Sequence, residues 1–460
     1  MPTMTIDGAP VEGSQTFDVV NPATGEVAAQ APQCSPEQLD DAFAAAQAAG
    51  RGWRADVDER RKAMLRLAEA ITAAGDELTA DLVLETGKPV PVAASEPGIC
   101  AAWLQVFADM EIPRRVLQDD ASALIEVAYR PLGLVAAITP WNFPLGLAMW
   151  KIAPALLAGN TVVLKPSPFT PLATLRMGQI MGEVLPPGVV NVVTGGDDLG
   201  RAVVAHPTPR KITFTGSVAG GKSVAASAGA DLKRLTLELG GNDATILMPD
   251  VDLASAVPRI LGTAFFNTGQ ACALPKRIYV PDALYDEAVD AFAAAASAIE
   301  VGPQMGPLST KPQYERITGL AAEAIAGGAR VATGGAPVDG PGYYFAPTIL
   351  ADVADDARVV AEEQFGPVLP VLRYSDIDDA VERANSTMFG LCGSAWGADV
   401  DAARAVAERL ECGSTFVNTH AALLPTVPFS GSKWSGVGVE NGVEGLLAFT
   451  EPQVVHTARV

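Results

Sequence analysis

Residues 133–166, GLVAAITPWNFPLGLAMWKIAPALLAGNTVVLKP, decide the fold. A short apolar run (133–138) is followed by an apolar stretch of helical length (145–158) and a second short run (161–166). Such runs are typical of buried strands, and a strand–helix–strand order indicates that the two strands pair in parallel. The alternation continues with strand-like runs at 189–194 and 211–216 and helix-like stretches at 170–184 and 218–229. We therefore predict a doubly wound α/β sheet, whose ligands bind beyond the carboxyl ends of its strands.

The same region includes an uncharged run of membrane-spanning length, residues 131–150. Pro140, Asn142 and Pro144 interrupt it near its middle. A buried strand, a turn and the start of a helix account for this pattern better than a membrane span, so we predict protein core and no membrane partner.

Regular elements extend outward from this sheet in both directions. Ser35-Pro36-Glu37-Gln38 is a capping box with proline at the first helical position, which predicts a helix over 36–49. An amphipathic helix is expected over 57–75. A second alternating set, with strands at 244–248, 277–280 and 414–418, indicates another α/β domain that begins near residue 240.

The composition is that of a well-packed globular protein, since 49% of the 460 residues are hydrophobic and 18% are charged. The net charge is −21 and no basic patch is visible, so we expect no nucleic-acid partner. Five scattered cysteines do not form a disulfide framework, and three histidines far apart give no metal site. The N-terminus lacks a signal-peptide pattern, which with the thiols predicts a cytoplasmic protein.

The loop after the first predicted strand, TPWNFP (139–144), holds Asn142 between two prolines. The prolines fix the backbone on both sides, and the carboxamide can donate two hydrogen bonds, as an oxyanion requires. Alternatively, Asn142 caps the helix that follows. The residues alone leave both readings open.

The loops after the second and fourth strands suit a phosphate-bearing ligand. Lys165 ends the second strand in KPSPFTP (165–171), where its ammonium either pairs with a ribose or phosphate or reaches solvent. In FTGSVAGG (214–221), Gly216 permits a tight turn and Ser217 can cap the next helix. Free amides at a helix start are suited to a pyrophosphate.

Glu238 and Cys272 are candidates for acid–base and nucleophilic chemistry. Glu238 is the only charge in LTLELGG (235–241), where burial would raise its pKa towards that of a general base; alternatively it lies on a surface edge strand. Cys272, in NTGQACALPKR (267–277), is either a nucleophile or a small buried hydrophobe. His206 and His420 lie in no recognisable nucleophile motif, which disfavours Ser-His and Cys-His chemistry.

The chain resembles the aldehyde dehydrogenase superfamily along nearly its whole length. The spacing from Glu238 to Cys272 agrees with that family, as does the order of the matching stretches, which are NPATGE (21–26), PWNFP, LKPS, FTGS, LELGG, NTGQAC, EEQFGPV (362–368) and PFSGSKWSG (428–436). The resemblance implies an α/β protein of three parts. These are a Rossmann-like dinucleotide-binding domain (1–114 and 132–240), an α/β catalytic domain (241–434) and a small β oligomerisation element (115–131 and 448–460) that makes a homodimer or homotetramer.

The resemblance also implies the chemistry, which is NAD(P)-dependent oxidation of an aldehyde to a carboxylic acid. Cys272, as a thiolate with a lowered pKa, would form a thiohemiacetal and, after hydride transfer, a thioester. The amide of Asn142 and the N–H of Cys272 would hold the oxyanion, and Glu238 would activate the hydrolytic water. The family's cofactor-binding positions correspond here to Trp141, Lys165, Ser167, Gly216, Ser217, Leu239, Glu363 and Phe365.

Two departures from the family pattern concern the cofactor and the motif after Glu238. Many NAD-preferring members carry Glu where this chain has Pro168, so NAD is expected here and NADP stays open. Asn242 stands where many relatives carry Lys, and the sequence offers no functional account of it.

The substrate channel of the family corresponds to Phe143, Leu147 and Trp150, which are all apolar. Dicarboxylic semialdehyde enzymes often carry Arg at the position of Trp150, so an aliphatic or aromatic aldehyde is expected, with a semialdehyde as the alternative. A CoA-acylating enzyme is disfavoured by the presence of Glu238. A thioesterase or esterase is disfavoured by the cofactor motifs, and a non-catalytic binding or structural protein by the intact Cys272, Glu238 and Asn142.

Overall fold

The computed structural model describes residues 2–459. Met1 and Val460, where the predicted ranges 1–114 and 448–460 begin and end, lie outside the described residues. The strands in chain order are β1 Met4–Ile6, β2 Ala9–Val11, β3 Gln15–Asn21, β4 Glu26–Gln33, β5 Arg115–Asp119, β6 Ala123–Pro131, β7 Leu134–Ile138, β8 Thr161–Lys165, β9 Val190–Val192, β10 Lys211–Thr215, β11 Arg234–Glu238, β12 Asp243–Leu247, β13 Pro275–Pro281, β14 Arg330–Thr333, β15 Thr348–Ala351, β16 Val368–Tyr374, β17 Cys392–Trp396, β18 Ser414–Val417, β19 Gly436–Val437 and β20 Thr450–Ala458.

The helices surround these strands. They are α1 Pro36–Trp53, α2 Val57–Ala73, α3 Gly75–Thr86, α4 Val90–Ala93, α5 Ser95–Asp109, α6 Pro144–Ala158, α7 Leu172–Val184, α8 Asp197–Ala205, α9 Val218–Ala228, α10 Leu253–Ala264, α11 Tyr285–Ser297, α12 Lys311–Ala326, α13 Arg358–Ala361, α14 Ile377–Asn385, α15 Val400–Ala407 and α16 Gly442–Leu447.

The predicted capping box begins α1 as expected, because Ser35 Oγ accepts from the N–H of Gln38 and Gln38 Oε1 accepts from the N–H of Ser35. The helix does not end at residue 49, however. It continues through two glycines to Trp53, which is buried and donates its indole N–H to the carbonyl of Leu156 at 3.2 Å. Burial of the tryptophan outweighs the low helix propensity of glycine here.

The first sheet has the strand order β19-β11-β10-β7-β8-β9-β1-β2, and β7, β8, β9, β10 and β11 run parallel. The register pairs Ile138 with Lys165 and Thr215 with Glu238. The carboxyl ends of four strands therefore reach the same edge of the sheet, and the loops that carry Asn142, Ser217 and Glu238 gather there. The parallel doubly wound sheet predicted from residues 133–216 is confirmed.

The second sheet has the order β14-β15-β16-β13-β12-β17-β18 and is parallel apart from the β14–β15 pair. Its two faces pack into separate hydrophobic clusters. On β13, Tyr279 lies in one cluster, while its neighbours Ile278 and Val280 lie in the other. Alternate side chains of a strand point to opposite faces, so this sheet is covered on both sides.

A third, small sheet has the order β20-β6-β5 and is antiparallel. It is formed by the same stretches that we expect to make an oligomerisation element. Val116, Leu117 and Val454 are exposed apolar residues on it.

Within residues 2–459, no helix is both long and apolar enough to cross a membrane. The uncharged run 131–150 instead contributes the end of β6, all of β7, the following loop and the start of α6.

Candidate active site

Two cavities meet at Cys272. The first, which we call the apolar pocket, has a volume of about 430 Å³, and the second, which we call the glycine-rich cleft, about 440 Å³. Both are lined by Asn142, Leu147, Thr215 and Cys272. A reactant in the pocket and a second ligand in the cleft could therefore both reach the thiol.

The link between the two sheets brings the predicted base and nucleophile together. The chain leaves β11 at Glu238 and enters β12 at Asp243, and the intervening glycines pass very close to other segments. A Cβ atom at Gly241 would lie 2.3 Å from the carbonyl oxygen of Cys272, and one at Gly240 would lie 2.3 Å from Oε2 of Glu363. Glycine, which has no Cβ, permits the close approach of these segments, which explains why Gly240 and Gly241 follow Leu239.

The loop before Cys272 has an unusual backbone that side chains hold in place. Asn267, Thr268 and Gly269 all have positive φ, at 50°, 60° and 72°, a conformation that β-branched threonine rarely adopts. Thr268 donates to the carbonyl of Gly306 at 3.0 Å, and Asn267 Nδ2 donates to the carbonyl of Asn142 at 3.2 Å. Strain that neighbouring contacts enforce in this way is typical of functional sites.

Gln270 anchors the same loop from within. Its side-chain amide donates to the carbonyl of Asn267 at 3.1 Å, and its Oε1 accepts from the N–H of Ser309 at 2.8 Å. The sequence analysis did not single out Gln270, although it is part of the NTGQAC stretch.

Asn142 presents its amide to the junction of the two cavities. Its Nδ2 donates one hydrogen bond to the carbonyl of Gln270 at 3.0 Å, which leaves the second N–H available. The alternative reading as a helix cap is wrong. The N-terminal amides of α6 at Leu145 and Gly146 donate instead to Oε2 of Glu96, at 3.0 and 3.1 Å.

The ionisation of Cys272 differs from the expectation of a lowered pKa. Burial raises the pKa of the thiol well above its ordinary value, and the carboxylates of Glu363, Asp243 and Glu238 raise it further. An anion next to three carboxylates and out of water is unfavourable. A nearby positive charge would favour formation of the thiolate.

Glu238 is buried, with 3% of its surface exposed, and among the described residues neither carboxylate oxygen has a hydrogen-bond partner. Burial raises its pKa well above the ordinary value, the neighbouring Glu440 raises it further, and Lys151 acts in the opposite direction. The reading as an exposed edge-strand residue is wrong. A buried carboxyl group with free oxygens and a raised pKa suits a general base.

Lys151 and Glu440 form an ion pair beside Glu238 that the sequence analysis missed. Lys151 Nζ lies 2.5 Å from Oε1 of Glu440 and donates to Oγ1 of Thr215 at 2.7 Å. Both charged side chains are almost fully buried. Lys151 could have been singled out from the sequence because it is the only charged residue in the apolar stretch 145–158. The glycine-rich sequence around Glu440 gives no comparable indication.

The predicted channel residues Phe143, Leu147 and Trp150 all line the apolar pocket. Trp150 stacks on Trp103 at 5.4 Å between ring centroids and meets Phe429 edge-on at 5.6 Å. The lining found in residues 2–459 includes neither lysine nor arginine. This pocket is suited to an apolar group and offers no cation for a substrate carboxylate.

His420 also lines the apolar pocket, although the sequence analysis found no motif around it. Its Nε2 lies 3.2 Å from Oδ2 of Asp243 and its Nδ1 lies 2.9 Å from Oγ of Ser394. Both ring nitrogens are thus engaged by buried partners, so the ring is fixed in the wall of the pocket and has no free nitrogen for the thiol.

The glycine-rich cleft brings most of the predicted cofactor positions together. It is lined by Trp141, Gly216, Ser217, Leu239, Glu363 and Phe365. Ser217 caps α9, accepting from the N–H of Gly220 at 3.1 Å. The N-terminus of this helix and the carboxylate of Glu363, which accepts from the N–H of Gly241 at 2.9 Å, fit the pyrophosphate and ribose of a dinucleotide.

Lys165 and Ser167 are not among the residues that line this cleft. The ammonium of Lys165 is buried and donates to the carbonyl of Pro166 at 3.0 Å, so the reading that it reaches solvent is wrong. Burial lowers the pKa of Lys165 to about 8, and Asp197 partly opposes the shift. Contact of Lys165 and Ser167 with a cofactor stays a prediction.

Asn242 is buried and joins two neighbouring segments. Its side-chain Nδ2 donates to the carbonyl of Val360 at 2.8 Å, and its main-chain carbonyl accepts from Nε of Arg277 at 2.9 Å. These contacts fix the start of β12 against α13, just before Glu363.

The chain is similar to known proteins along nearly its whole length. Residues 10–455 match the model of the aldehyde dehydrogenase family. The chain is 38% identical to an aldehyde dehydrogenase, LUC3, of Fusarium sp, with 98% of this chain and 97% of the relative covered.

Two solved structures superpose on nearly the whole chain. One is an NADP-dependent enzyme of E. coli, with a TM-score of 0.96, 34% identity and coverage of 99% and 98%. The other is the NAD+ complex of an aldehyde dehydrogenase from Bacillus cereus, with a TM-score of 0.96, 33% identity and coverage of 99% and 96%. The predicted mixed α/β fold is confirmed.

Proposed function

Because the chain belongs to the aldehyde dehydrogenase family, and is thus an NAD(P)-dependent oxidoreductase that acts on aldehydes, we propose that it oxidises an apolar aldehyde through a thiohemiacetal and a thioester on Cys272. The observation that carries this proposal is the junction of the two cavities at Cys272, with Asn142 beside it. An aldehyde in the apolar pocket can then bind to the sulfur of Cys272, and a hydride acceptor in the glycine-rich cleft can reach the carbon attached to that sulfur.

In the first step, the thiolate of Cys272 attacks the aldehyde carbon and the carbonyl electrons move onto oxygen. The free N–H of Asn142 Nδ2 and the backbone N–H of Cys272 would hold this oxyanion. The hydrogen bond to Gln270 fixes the amide beforehand, so little reorganisation is needed at the moment of reaction.

The dinucleotide fits the glycine-rich cleft, where Ser217 and the N-terminus of α9 would hold the pyrophosphate and Glu363 a ribose. When bound, the nicotinamide cofactor accepts the hydride that leaves the substrate carbon. The aromatic pair Trp141 and Phe365, 5.3 Å apart, forms one wall of the cleft.

Hydrolysis of the thioester falls to Glu238. Its unpartnered oxygens can accept a proton from a water molecule, whose oxygen attacks the thioester carbon while the carbon–sulfur bond breaks. The proton can move on towards Glu440, whose Oε2 also has no partner among the described residues. A water-activating carboxylate here supports hydrolysis rather than acyl transfer to CoA.

The substrate class follows from the apolar pocket. Its aromatic wall and the absence of lysine and arginine in the described lining support an aliphatic or aromatic aldehyde rather than a semialdehyde with a terminal carboxylate. Glu238 and Glu440 would repel such a carboxylate as well.

The small third sheet supports a homodimer or homotetramer, because its exposed apolar residues Val116, Leu117 and Val454 would be buried by a second copy. The free cysteines agree with a reducing compartment such as the cytoplasm.

The test is absorbance at 340 nm with NAD or NADP against propanal, benzaldehyde and succinate semialdehyde, in wild type and Cys272→Ala. We expect reduced cofactor with the two apolar aldehydes and a loss of at least about 10³-fold in Cys272→Ala. Equal activity of the alanine variant would refute the proposed nucleophile. Activity that requires added CoA would refute hydrolysis.

A further inference from the structure

Lys276 lies behind Cys272 at the start of β13 and has no role in the chemistry described so far. Its side chain is almost fully buried, with 1% exposed. Nζ donates to the carbonyl of Gly269, in the loop of left-handed residues that leads to Cys272. A buried ammonium is costly to keep, and this one is directed to a carbonyl group rather than to a carboxylate.

The charged groups around Lys276 come from three other segments. Glu363 precedes β16, Asp243 begins β12 and Cys272 lies in the loop before β13, and all three favour the charged ammonium. Burial acts against them and lowers the pKa of Lys276 to about 8, so the ammonium is still charged at neutral pH.

The carboxylates that face Lys276 are the ones that oppose ionisation of the thiol. Glu363 and Asp243 raise the pKa of Cys272, and Glu238 adds to this from β11. Asp243 also lies beside His420, and Arg316 acts on Glu363 from α12. Lys276 is a positively charged group that interacts electrostatically with the Cys272 thiolate, with Glu363 and with Asp243.

The same lysine lies where two loops touch. A Cβ atom at Gly269 would lie 2.3 Å from the carbonyl oxygen of Gly366, so the Cys272 loop packs directly on the segment that carries Glu363 and Phe365. Lys276 Nζ is 6.0 Å from the ring centroid of Phe365.

We propose that Lys276 is a positioning residue for the nucleophile, whose buried ammonium holds the Cys272 loop through Gly269 and offsets the carboxylates of Glu363 and Asp243 that face the thiol. Asn242, which precedes Asp243, is neutral, and the cation here comes from the adjacent strand β13. The inference rests on the proposed role of Cys272.

The experiment is the rate of iodoacetamide alkylation of Cys272 between pH 6 and 7.5, below the pKa of Lys276, followed by mass spectrometry of the Cys272 peptide. It needs neither aldehyde nor cofactor. In Lys276→Met we expect about tenfold slower alkylation at each pH, which corresponds to a rise of about one unit in the pKa of the thiol. In Asp243→Asn alkylation should be faster than in wild type, and in the double variant the rate should return towards wild type because one charge of each sign is removed.

Lys233→Met is the matched control, since Lys233 is also buried, donates to the carbonyls of Val204 and His206, and lines neither cavity. Its profile should match wild type, and thermal melts confirm that each variant is folded. Should Lys276→Met fail to fold, Lys276→Gln, which also removes the charge but keeps a hydrogen-bond donor, takes its place alone and in the double variant. An unchanged alkylation rate in the folded lysine variant, or no return in the double variant, overturns the proposal. No alkylation of Cys272 in wild type would instead refute the proposed nucleophile.

Discussion

The two sides of the catalytic centre bury a lysine in different ways. On the base side, Lys151 is in direct contact with Glu440, and both oxygens of Glu238 lack a hydrogen-bond partner within residues 2–459. On the thiol side, Lys276 donates to the carbonyl of Gly269 and faces its carboxylates through space. Lys151, which is paired directly with Glu440, leaves the pKa of the neighbouring Glu238 raised, as a general base requires, whereas a lysine without direct contact leaves its charge available to stabilise an anion.

The largest effect on turnover is expected from substitution of Glu238. Glu238→Gln keeps the size of the side chain but cannot accept a proton from water, so turnover should fall by about 10³-fold. Hydride transfer precedes this step, so a burst of reduced cofactor close to one equivalent per Cys272 should remain in rapid-mixing experiments. A variant that loses the burst as well would show that Glu238 acts before the thioester forms.

Breaking the direct pair should mainly change stability. Lys151→Met leaves the buried carboxylate of Glu440 unpaired, which should lower the free energy of unfolding by about 3 kcal/mol. Lys151→Met combined with Glu440→Leu removes both charges and should recover most of this loss in denaturant titrations. If the double variant is as unstable as the single one, the pair does not act as a unit.

The smallest effect is expected on the thiol side, at Glu363. Glu363→Gln retains an oxygen that can accept from the N–H of Gly241, so the cleft should keep its shape. Loss of the charge should raise the KM for the cofactor roughly tenfold, as expected for one charge-assisted hydrogen bond. At the same time iodoacetamide should react faster with Cys272, because one of the carboxylates facing the thiol is gone. Slower alkylation would contradict this account.

The sequence predicted the residues that lie in strand-end loops. Asn142 and Ser217 follow strands of one parallel sheet and Glu238 ends another of its strands, so their convergence follows from the alternation of strands and helices alone. Lys165 and Ser167 follow the same rule, yet they do not line the cleft, because the rule gives the edge of the sheet and not the extent of the cavity.

The sequence could not predict the buried charges around these residues. Glu440 and Lys151 are in contact although 289 positions separate them, and Asp243 is 177 positions from His420. The direction of the pKa shift of Cys272 depends on carboxylates from three separate segments, so the loop sequence alone could not give it. Such pairings depend on tertiary packing and leave no local pattern.

The short connection between the two sheets has a mechanical consequence. Glu238 is the last residue of a strand in one sheet and Asp243 is the first of a strand in the other. The glycines between them are too tightly enclosed by Cys272 and Glu363 to serve as a free hinge. Because Glu238 ends a strand of the first sheet and Cys272 precedes a strand of the second, a rotation of one sheet against the other would change the distance between the base and the sulfur.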